Sequence, residues 1–202
     1  MLMNITHVKK RIVLTGGPGG GKTTAVDLIR REFSGKIATV PEAATMIFSG
    51  GIARSNNNHV LKIQQTAIFN LQKNLEDIQR ATFEHSIILC DRGSLDGLAY
   101  WPGNDDEFFQ AMDTTLADEL ARYDAVIFFE SAAKSGESIK SNNPIRNESE
   151  KAAIILDDKL QTIWSQHPNF NLIHSAESFI NKVMFGITTI EEIIEQYQKD
   201  SG

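Results

Sequence analysis

The segment GGPGGGKTT, at residues 16–24, constrains the fold of this chain more than any other part of the sequence. It fits the template G-x-x-x-x-G-K-[ST], whose fixed positions are here Gly16, Gly21, Lys22 and Thr23. The apolar run at residues 12–14 is typical of a buried strand, and residues 25–33 have the apolar spacing of an amphipathic helix. A strand, a glycine loop and a helix in this order predict a phosphate-binding P-loop.

The glycines of this loop allow successive backbone N–H groups to face phosphate oxygens, at the positive end of the following helix. The residues that we expect to hold the nucleotide are Gly17, Gly19, Gly20, Gly21, Lys22, Thr23 and Thr24. Lys22 is expected to reach the β- and γ-phosphates, and the Thr23 hydroxyl to bind Mg²⁺. The ligand predicted from this segment is ATP or GTP with Mg²⁺. The alternative is a glycine-rich turn that binds nothing.

Length and charge limit the remaining possibilities. The 202 residues are expected to form one domain, and the net charge of −6 disfavours a nucleic-acid partner or an anionic membrane surface. No apolar run is long enough to span a bilayer, so a cytoplasmic location is expected. The single cysteine, Cys90, lies in an apolar run and is predicted to be a buried, reduced thiol.

Strand and helix patterns alternate along the chain, which predicts an α/β fold with a mostly parallel sheet. Further strands are predicted at residues 36–40, 86–90, 125–129 and 171–173. Helices are predicted at residues 59–84, 105–120, 148–165 and 176–196. Two polar segments, 49–58 and 131–147, lack periodicity, and long loops of this kind are often lids or binding loops.

Asp91 and Arg92 follow the apolar run of the third predicted strand, where a parallel sheet binds its ligand. Four apolar residues and then an Asp form the Walker B pattern, in which the carboxylate supports Mg²⁺. The alternative for Asp91 is an ordinary strand end. Arg92 stands where motor ATPases usually carry a Glu that polarises water, and an arginine instead clamps phosphate.

Two polar side chains are candidates for the acceptor side of the site. Glu42 follows the second strand and is a candidate general base; equally, it is a candidate acidic residue at the start of a helix. Gln64 lies on the apolar stripe of the long helix, so its amide needs a partner. That partner is either an acceptor molecule or, somewhat favoured, another group of the core. Aromatic packing is favoured over ligand stacking for Tyr100 and Trp101.

The segment 131–147 contains Lys134, Lys140 and Arg146, and cations on such a loop suit a lid that closes over a triphosphate. Arg146 is the preferred member because it precedes a predicted helix. The alternative is a solvated surface loop with scattered charges.

Five segments together resemble nucleoside and nucleotide kinases of the P-loop class: TGGPGGGKTT, VPEAAT, LCDRGSLDGLAYW, RYDAVIFF and RNES. More narrowly, the chain resembles the small AAA-domain family that includes TRPL-translocation-defect-like NTP-binding proteins and the ribosylnicotinamide-kinase module. The resemblance covers about residues 15–149. It implies a three-layer αβα fold with sheet order 2-3-1-4-5. One difference from thymidylate kinases is Gly93, where they carry an aromatic residue.

By this resemblance, Glu42 binds the acceptor or acts as base, Asp91 and Arg92 serve metal and phosphate, and Arg146 is the lid arginine. With Lys22 they form the predicted catalytic set, with Thr23 and Asp91 at the metal. Two functions compete: transfer of the γ-phosphate to a small nucleoside-like or nucleotide-like acceptor, and a nucleotide-dependent switch or slow NTPase that controls a partner. Glu42 favours a hydroxyl acceptor and Arg92 a phosphate, so the acceptor stays open.

Overall fold

The computed structural model describes residues 10–33, 35, 37–83, 87–135, 150–175 and 178–200. The strands are β1 (Arg11–Thr15), β2 (Ile37–Val40), β3 (Ile87–Asp91), β4 (Ala125–Phe129) and β5 (Phe170–Ile173). The helices are α1 (Lys22–Glu32), α2 (Ala43–Ser49), α3 (Asn58–Thr82), α4 (Asp96–Ala99), α5 (Asp105–Met112), α6 (Leu116–Leu120), α7 (Glu150–Trp164) and α8 (Phe179–Asp200). A 3-10 turn at Ala132–Ser135 follows β4.

The five strands form one parallel sheet in the order β2-β3-β1-β4-β5. This confirms the α/β class and the strand order that the family resemblance implied. The central position of β1 places the glycine loop in the middle of the sheet edge, between the ends of β3 and β4. Strand order therefore determines which side chains can reach the loop.

Alternate residues of each strand serve two separate cores, as the two-residue period of a strand requires. Ile12 and Leu14 pack with α1 and α8 on one face, whereas Val13 packs with residues of α3, α4, α5 and α7 on the other. Strands that are buried on both faces are near-continuous apolar runs, which is why they are readily found in the sequence. The sheet is therefore the middle layer of three.

The element bounds differ from the predicted ones in one instructive place. The single helix expected over residues 105–120 is two helices, α5 and α6, because Asp113 adopts a left-handed conformation with φ 48°. Thr115 then caps α6 by accepting a hydrogen bond from the Asp118 N–H. Asp tolerates the left-handed region better than most residues, so the break follows from a local backbone choice that apolar spacing does not record.

A buried ionic cluster fastens α3 to the sheet. Glu76 is fully buried, and its Oε2 lies 2.8 Å from Arg11 Nη1 and 2.9 Å from Arg122 Nη2. The Tyr123 hydroxyl donates to Glu76 Oε1 at 2.7 Å. Burial, together with the charge of Glu76, raises the pKa of the nearby Cys90 thiol well above its ordinary value. Cys90 is therefore a buried thiol, as predicted, rather than a nucleophile.

We expect Glu76→Ala to lower the free energy of unfolding by about 3–5 kcal/mol, because it leaves the buried Arg11 and the partly buried Arg122 without their shared carboxylate. Chemical denaturation monitored by circular dichroism measures this change. The matched control is Asp77→Asn: Asp77 contacts the same arginines but its side chain is 62% exposed, so about 1 kcal/mol or less is expected. Equal losses of unfolding free energy in the two variants would contradict the larger contribution that we assign to the buried Glu76 carboxylate.

Candidate functional site

The predicted site residues of the described chain meet at one edge of the sheet. The P-loop follows β1, Glu42 follows β2, Asp91 ends β3, and the 3-10 turn follows β4. In a parallel sheet these are all carboxyl ends, where α/β proteins bind their ligands. Arg146 lies outside the described residues, as does most of the predicted lid segment.

The P-loop forms a tight turn into α1. Gly21 takes a left-handed conformation with φ 88° as the residue before the helix, and Lys22 is the first helical residue. The Lys22 side chain is 3% exposed, and its Nζ donates to the Gly17 carbonyl at 2.5 Å. Thr23 and Thr24 are exposed at the start of α1. Their backbone N–H groups therefore stand at a helix N-terminus, where anions are stabilised.

Gly17 is engaged by another part of the chain. Its N–H donates to Asp157 Oδ1 of α7 at 2.7 Å. This carboxylate was not found from the sequence, because it lies 140 residues from Gly17. The Gly17 amide, which was expected to hold the nucleotide, thus has a protein acceptor, and Gly19, Gly20 and Gly21 continue the loop toward α1.

Asp91 lies beside the end of β1, since its Cα pairs with that of Leu14 in the sheet register. Its side chain is 7% exposed. A carboxylate here and a hydroxyl at Thr23 are hard oxygen donors of the kind that Mg²⁺ prefers. Within the described part of the chain there is no group of three or more His, Cys, Asp or Glu side chains that could form a metal centre by itself. Such a site fits a cation that shares its remaining ligands with phosphate and water.

Arg92 connects three elements of the site. Its Nη1 donates to the Gly16 carbonyl and to Asp96 Oδ2, both at 2.8 Å, and its Nε lies 3.2 Å from Glu42 Oε1. Burial lowers its pKa, but Tyr100, Asp96 and Glu42 raise that pKa well above its ordinary value. The guanidinium therefore stays charged, and two carboxylates balance it.

The backbone at Arg92 is unusual, with φ 78° in the left-handed region that non-glycine residues rarely adopt. The next residue, Gly93, leaves room for Trp164 of α7, because a Cβ there would lie 2.6 Å from Trp164 Cη2. Trp164 in turn donates from Nε1 to Asp96 at 2.9 Å. The close approach of Trp164 therefore accounts for the glycine at position 93.

Glu42 immediately precedes α2. This position is compatible with both roles that the sequence suggested, a general base and an acidic residue at the start of a helix. Its side chain makes no hydrogen bond to the helix backbone. Instead, Oε1 faces Arg92 and Oε2 accepts from the Thr45 hydroxyl at 2.6 Å. The carboxylate is 14% exposed. It is therefore positioned by two side chains at the mouth of a pocket.

That pocket lies between α2, α3 and the segment after β3. Its lining includes the Glu42 and Arg92 pair, the aromatic rings of Phe48, Phe69 and Tyr100, and the polar side chains of Arg54, Gln65 and Gln72. Gln65 is 5% exposed, and its side chain lines this pocket. Its amide offers both a hydrogen-bond donor and an acceptor there.

The side chains for which sequence left two options are now placed. Gln64 donates to the Ala53 carbonyl at 2.7 Å, so it is a satisfied core residue, and its neighbour Gln65 lines the pocket instead. Trp101 packs edge-to-face on Phe108, as expected. Lys134, a cation of the predicted lid, is ion-paired within the protein, because its Nζ lies 2.8 Å from Asp157 and 2.9 Å from Asp158.

No helix within the described ranges combines the length and apolarity needed to cross a bilayer.

The fold is shared with two solved kinases. The structure of deoxyadenosine kinase from M. mycoides with bound dATP matches with a TM-score of 0.60 at 15% identity, covering 90% of this chain and 99% of that one. Thymidylate kinase from Candida albicans matches with a TM-score of 0.62 at 15% identity, covering 94% and 92%. At this identity the likeness establishes the fold. No curated protein matches the sequence.

A family model matches most of the chain. The model described as an AAA domain matches residues 11–179, from the first residue of β1 to the start of α8. This range holds the glycine loop, Glu42, Asp91 and Arg92. This match identifies the chain as a member of this AAA-domain family, and its parallel sheet in the order β2-β3-β1-β4-β5 has the fold of the two solved kinases.

Proposed function

We propose that the protein is a Mg²⁺-dependent phosphotransferase that moves the γ-phosphate of ATP or GTP to a hydroxyl of a small nucleoside-like acceptor. One observation carries this proposal: the Arg92 guanidinium bonds both the Gly16 carbonyl of the P-loop and Glu42 at the mouth of the neighbouring pocket. A donor site and an acceptor pocket are thereby held side by side. A regulatory switch needs no second pocket of this kind.

On the donor side, the proposal gives the phosphates to the backbone N–H groups of residues 19–24 and to Lys22. Lys22 exchanges its bond to the Gly17 carbonyl for phosphate oxygens, which lie at the same helix N-terminus. Mg²⁺ held by Thr23 and Asp91 would neutralise charge on the β- and γ-phosphates. Arg146 keeps its predicted role at the transferring phosphoryl group as part of this proposal.

On the acceptor side, the Glu42 carboxylate accepts the proton of the acceptor hydroxyl as its oxygen attacks the γ-phosphorus. An O–P bond forms to the acceptor, and the bond from the γ-phosphorus to the β-bridging oxygen breaks, which leaves ADP or GDP. Because phosphoryl transfer needs little covalent help from the protein, positioning carries most of the catalysis. Arg92 and Thr45 provide it by fixing both oxygens of Glu42.

The charges of the pocket favour a hydroxyl over a phosphate as acceptor. Arg92, the candidate phosphate clamp, is already balanced by Glu42 and Asp96. A phosphate brought beside Glu42 would meet a second negative charge. The aromatic rings of Phe48 and Phe69 suit a flat ring, and Gln65 offers both a donor and an acceptor to its edge. Of the two solved kinases, one acts on a nucleoside, deoxyadenosine, and the other on a nucleotide, thymidylate; both support an acceptor that contains a nucleoside, and they do not decide between a hydroxyl and a phosphate.

The proposal is tested by screening nucleosides, nucleoside monophosphates and nicotinamide ribosides for thermal stabilisation in the presence of Mg²⁺ and ATP or GTP. An acceptor stabilises the fold by mass action, and each hit is then assayed for transfer of labelled γ-phosphate. We expect at least one nucleoside-like hydroxyl compound to be stabilising and to become labelled. Nucleotide binding without any accepted substrate would favour the regulatory switch.

Arg54→Gln separates the two kinds of acceptor. Arg54 stacks over Phe48 at 4.2 Å from the ring centroid, and no carboxylate of the described chain pairs with it. For a neutral hydroxyl acceptor we expect KM to rise by threefold or less, since only the stacking contact is lost (about 0.5–1 kcal/mol). For a phosphate acceptor the loss of a charged contact would raise KM by about tenfold or more. Steady-state kinetics with the labelled substrate distinguishes the outcomes.

A further inference from the structure

Asp157 of α7 is a buried carboxylate that contacts the P-loop. Its side chain is fully buried. One oxygen, Oδ1, accepts two backbone hydrogen bonds, from the Gly17 N–H at 2.7 Å and from the Ser131 N–H at 3.0 Å. A single atom therefore joins the first turn of the glycine loop, the chain just after β4, and α7.

Gly17 and Ser131, which both donate to Asp157, have side-chain properties that suit this contact. A Cβ at Gly17 would overlap the Asp157 carboxylate, so only glycine admits the contact. In the P-loop template this is a variable position, and phosphate binding does not by itself require glycine there. The Ser131 hydroxyl adds a second link by donating to the Pro18 carbonyl at 2.6 Å. Gly17 and Pro18 are thus both held from outside the loop.

The charge of Asp157 is compensated beside it. Lys134 Nζ lies 2.8 Å from Asp157 Oδ2, on the oxygen that does not bind the backbone. Partial burial lowers the pKa of Lys134, but hydrogen bonds to Asp157 and Asp158 and their charges raise it above its ordinary value. A bare carboxylate next to a polyphosphate would oppose binding. Lys134 offsets the charge of Asp157, although it is shared with Asp158 at 2.9 Å and Glu130 at 3.6 Å.

We propose that Asp157 is a positioning residue for nucleotide binding: it holds Gly17 and Pro18 so that the following amides of the loop face the phosphates. The proposal rests on the nucleotide-binding role given above. Without the carboxylate, the buried N–H groups of Gly17 and Ser131 have no acceptor, and the loop has to rearrange to satisfy them. Asp157 itself stays away from the phosphates.

The test compares Asp157→Ala with Asp158→Asn by isothermal titration of Mg²⁺–ATP and Mg²⁺–GTP. We expect Asp157→Ala to weaken nucleotide binding about tenfold or more, because two buried hydrogen bonds are lost. Asp158 also pairs with Lys134, but its side chain is 60% exposed and makes no contact with the loop in the described structure. Asp158→Asn should therefore keep the wild-type dissociation constant within about twofold.

Asp157→Asn should retain the nucleotide affinity that Asp157→Ala loses. Its amide oxygen can still accept from Gly17 and Ser131, while the ion pair to Lys134 is lost. We expect nucleotide affinity within about threefold of the wild type, because the backbone hydrogen bonds matter more than the charge. In a transfer assay, Asp157→Ala should raise KM for the nucleotide and leave KM for the acceptor unchanged. A general loss of folded protein would change neither constant.

Hydrogen exchange of the Gly17 amide supplies a measurement that does not require the alanine variant to fold. We expect a protected amide in the wild type and in Asp157→Asn. A Gly17 amide that exchanges freely in the wild type, or unchanged nucleotide affinity in a folded Asp157→Ala, would overturn the proposal. A wild-type protein that binds neither Mg²⁺–ATP nor Mg²⁺–GTP would instead overturn the proposed function, so the two failures are distinguishable.

Discussion

Lys22→Ala is expected to abolish productive nucleotide binding, with a loss of about 100-fold or more in transfer rate at saturating acceptor. The Lys22 ammonium group donates to the Gly17 carbonyl of the loop, and the residue is 3% exposed. Alanine keeps the helix start, because it is a good helix former. The fold should therefore persist while the phosphate-binding charge is lost.

Calorimetric titration with ATP and GTP, each with Mg²⁺, measures this loss. Lys62→Ala is the matched control, because Lys62 is a lysine of α3 that pairs with Glu107 on an exposed surface. That variant should bind and transfer as the wild type does. An affinity of Lys22→Ala for both nucleotides equal to that of the wild type would reject the assignment of the phosphate cradle to the glycine loop.

The central sheet could be predicted well from sequence, because strands buried on both faces are apolar runs that end in turn signals. The strand, glycine turn and helix of the proposed donor site could be predicted too, since residues 16–24 are contiguous and the glycines mark the turn into α1. The break between α5 and α6 was missed. It depends on one residue, Asp113, whose left-handed backbone leaves the apolar spacing intact on both sides.

The acceptor side was predicted less completely, because its residues come together only through the tertiary structure. Gln64 was considered as a candidate, and its neighbour Gln65 was not. The two side chains are about 100° apart around α3, and this difference places the Gln64 amide in the core and the Gln65 amide in the pocket lining. Asp96 and Asp157 also had no signal in the sequence. Each is an ordinary acidic residue in a helix, and only burial against Arg92 or Gly17 gives it a role.

The pairing of Arg92 with Glu42 also changes what each residue can do. From sequence, an arginine after Asp91 suggests a phosphate clamp, and a glutamate after β2 suggests either a base or a helix-stabilising acid. In the structure the two bond each other, and Asp96 takes the second side of the guanidinium. Arg92 therefore positions the Glu42 carboxylate beside the P-loop. This arrangement makes Glu42 the residue whose substitution tests the chemistry.

Glu42→Gln is expected to lower the transfer rate by about 100-fold to 10,000-fold while nucleotide affinity changes by about twofold or less. Glutamine has nearly the same shape and can still receive the hydrogen bond from Arg92 or Thr45. It cannot accept a proton from the acceptor hydroxyl. The large effect should therefore fall on kcat with the accepted substrate found in the screen, and titration of ATP should give a dissociation constant close to the wild type.

Thr45→Ala tests the contribution of the side chain that positions the proposed base, Glu42. It removes the hydrogen bond that the Thr45 hydroxyl donates to Glu42 Oε2 at 2.6 Å, but leaves the carboxylate and its contact with Arg92 in place. We expect a fall in kcat of about tenfold or less, because one neutral hydrogen bond is lost. If Glu42→Gln transferred phosphate as fast as the wild type, Glu42 would be a helix-start residue only, and proton removal would have to be assigned to water.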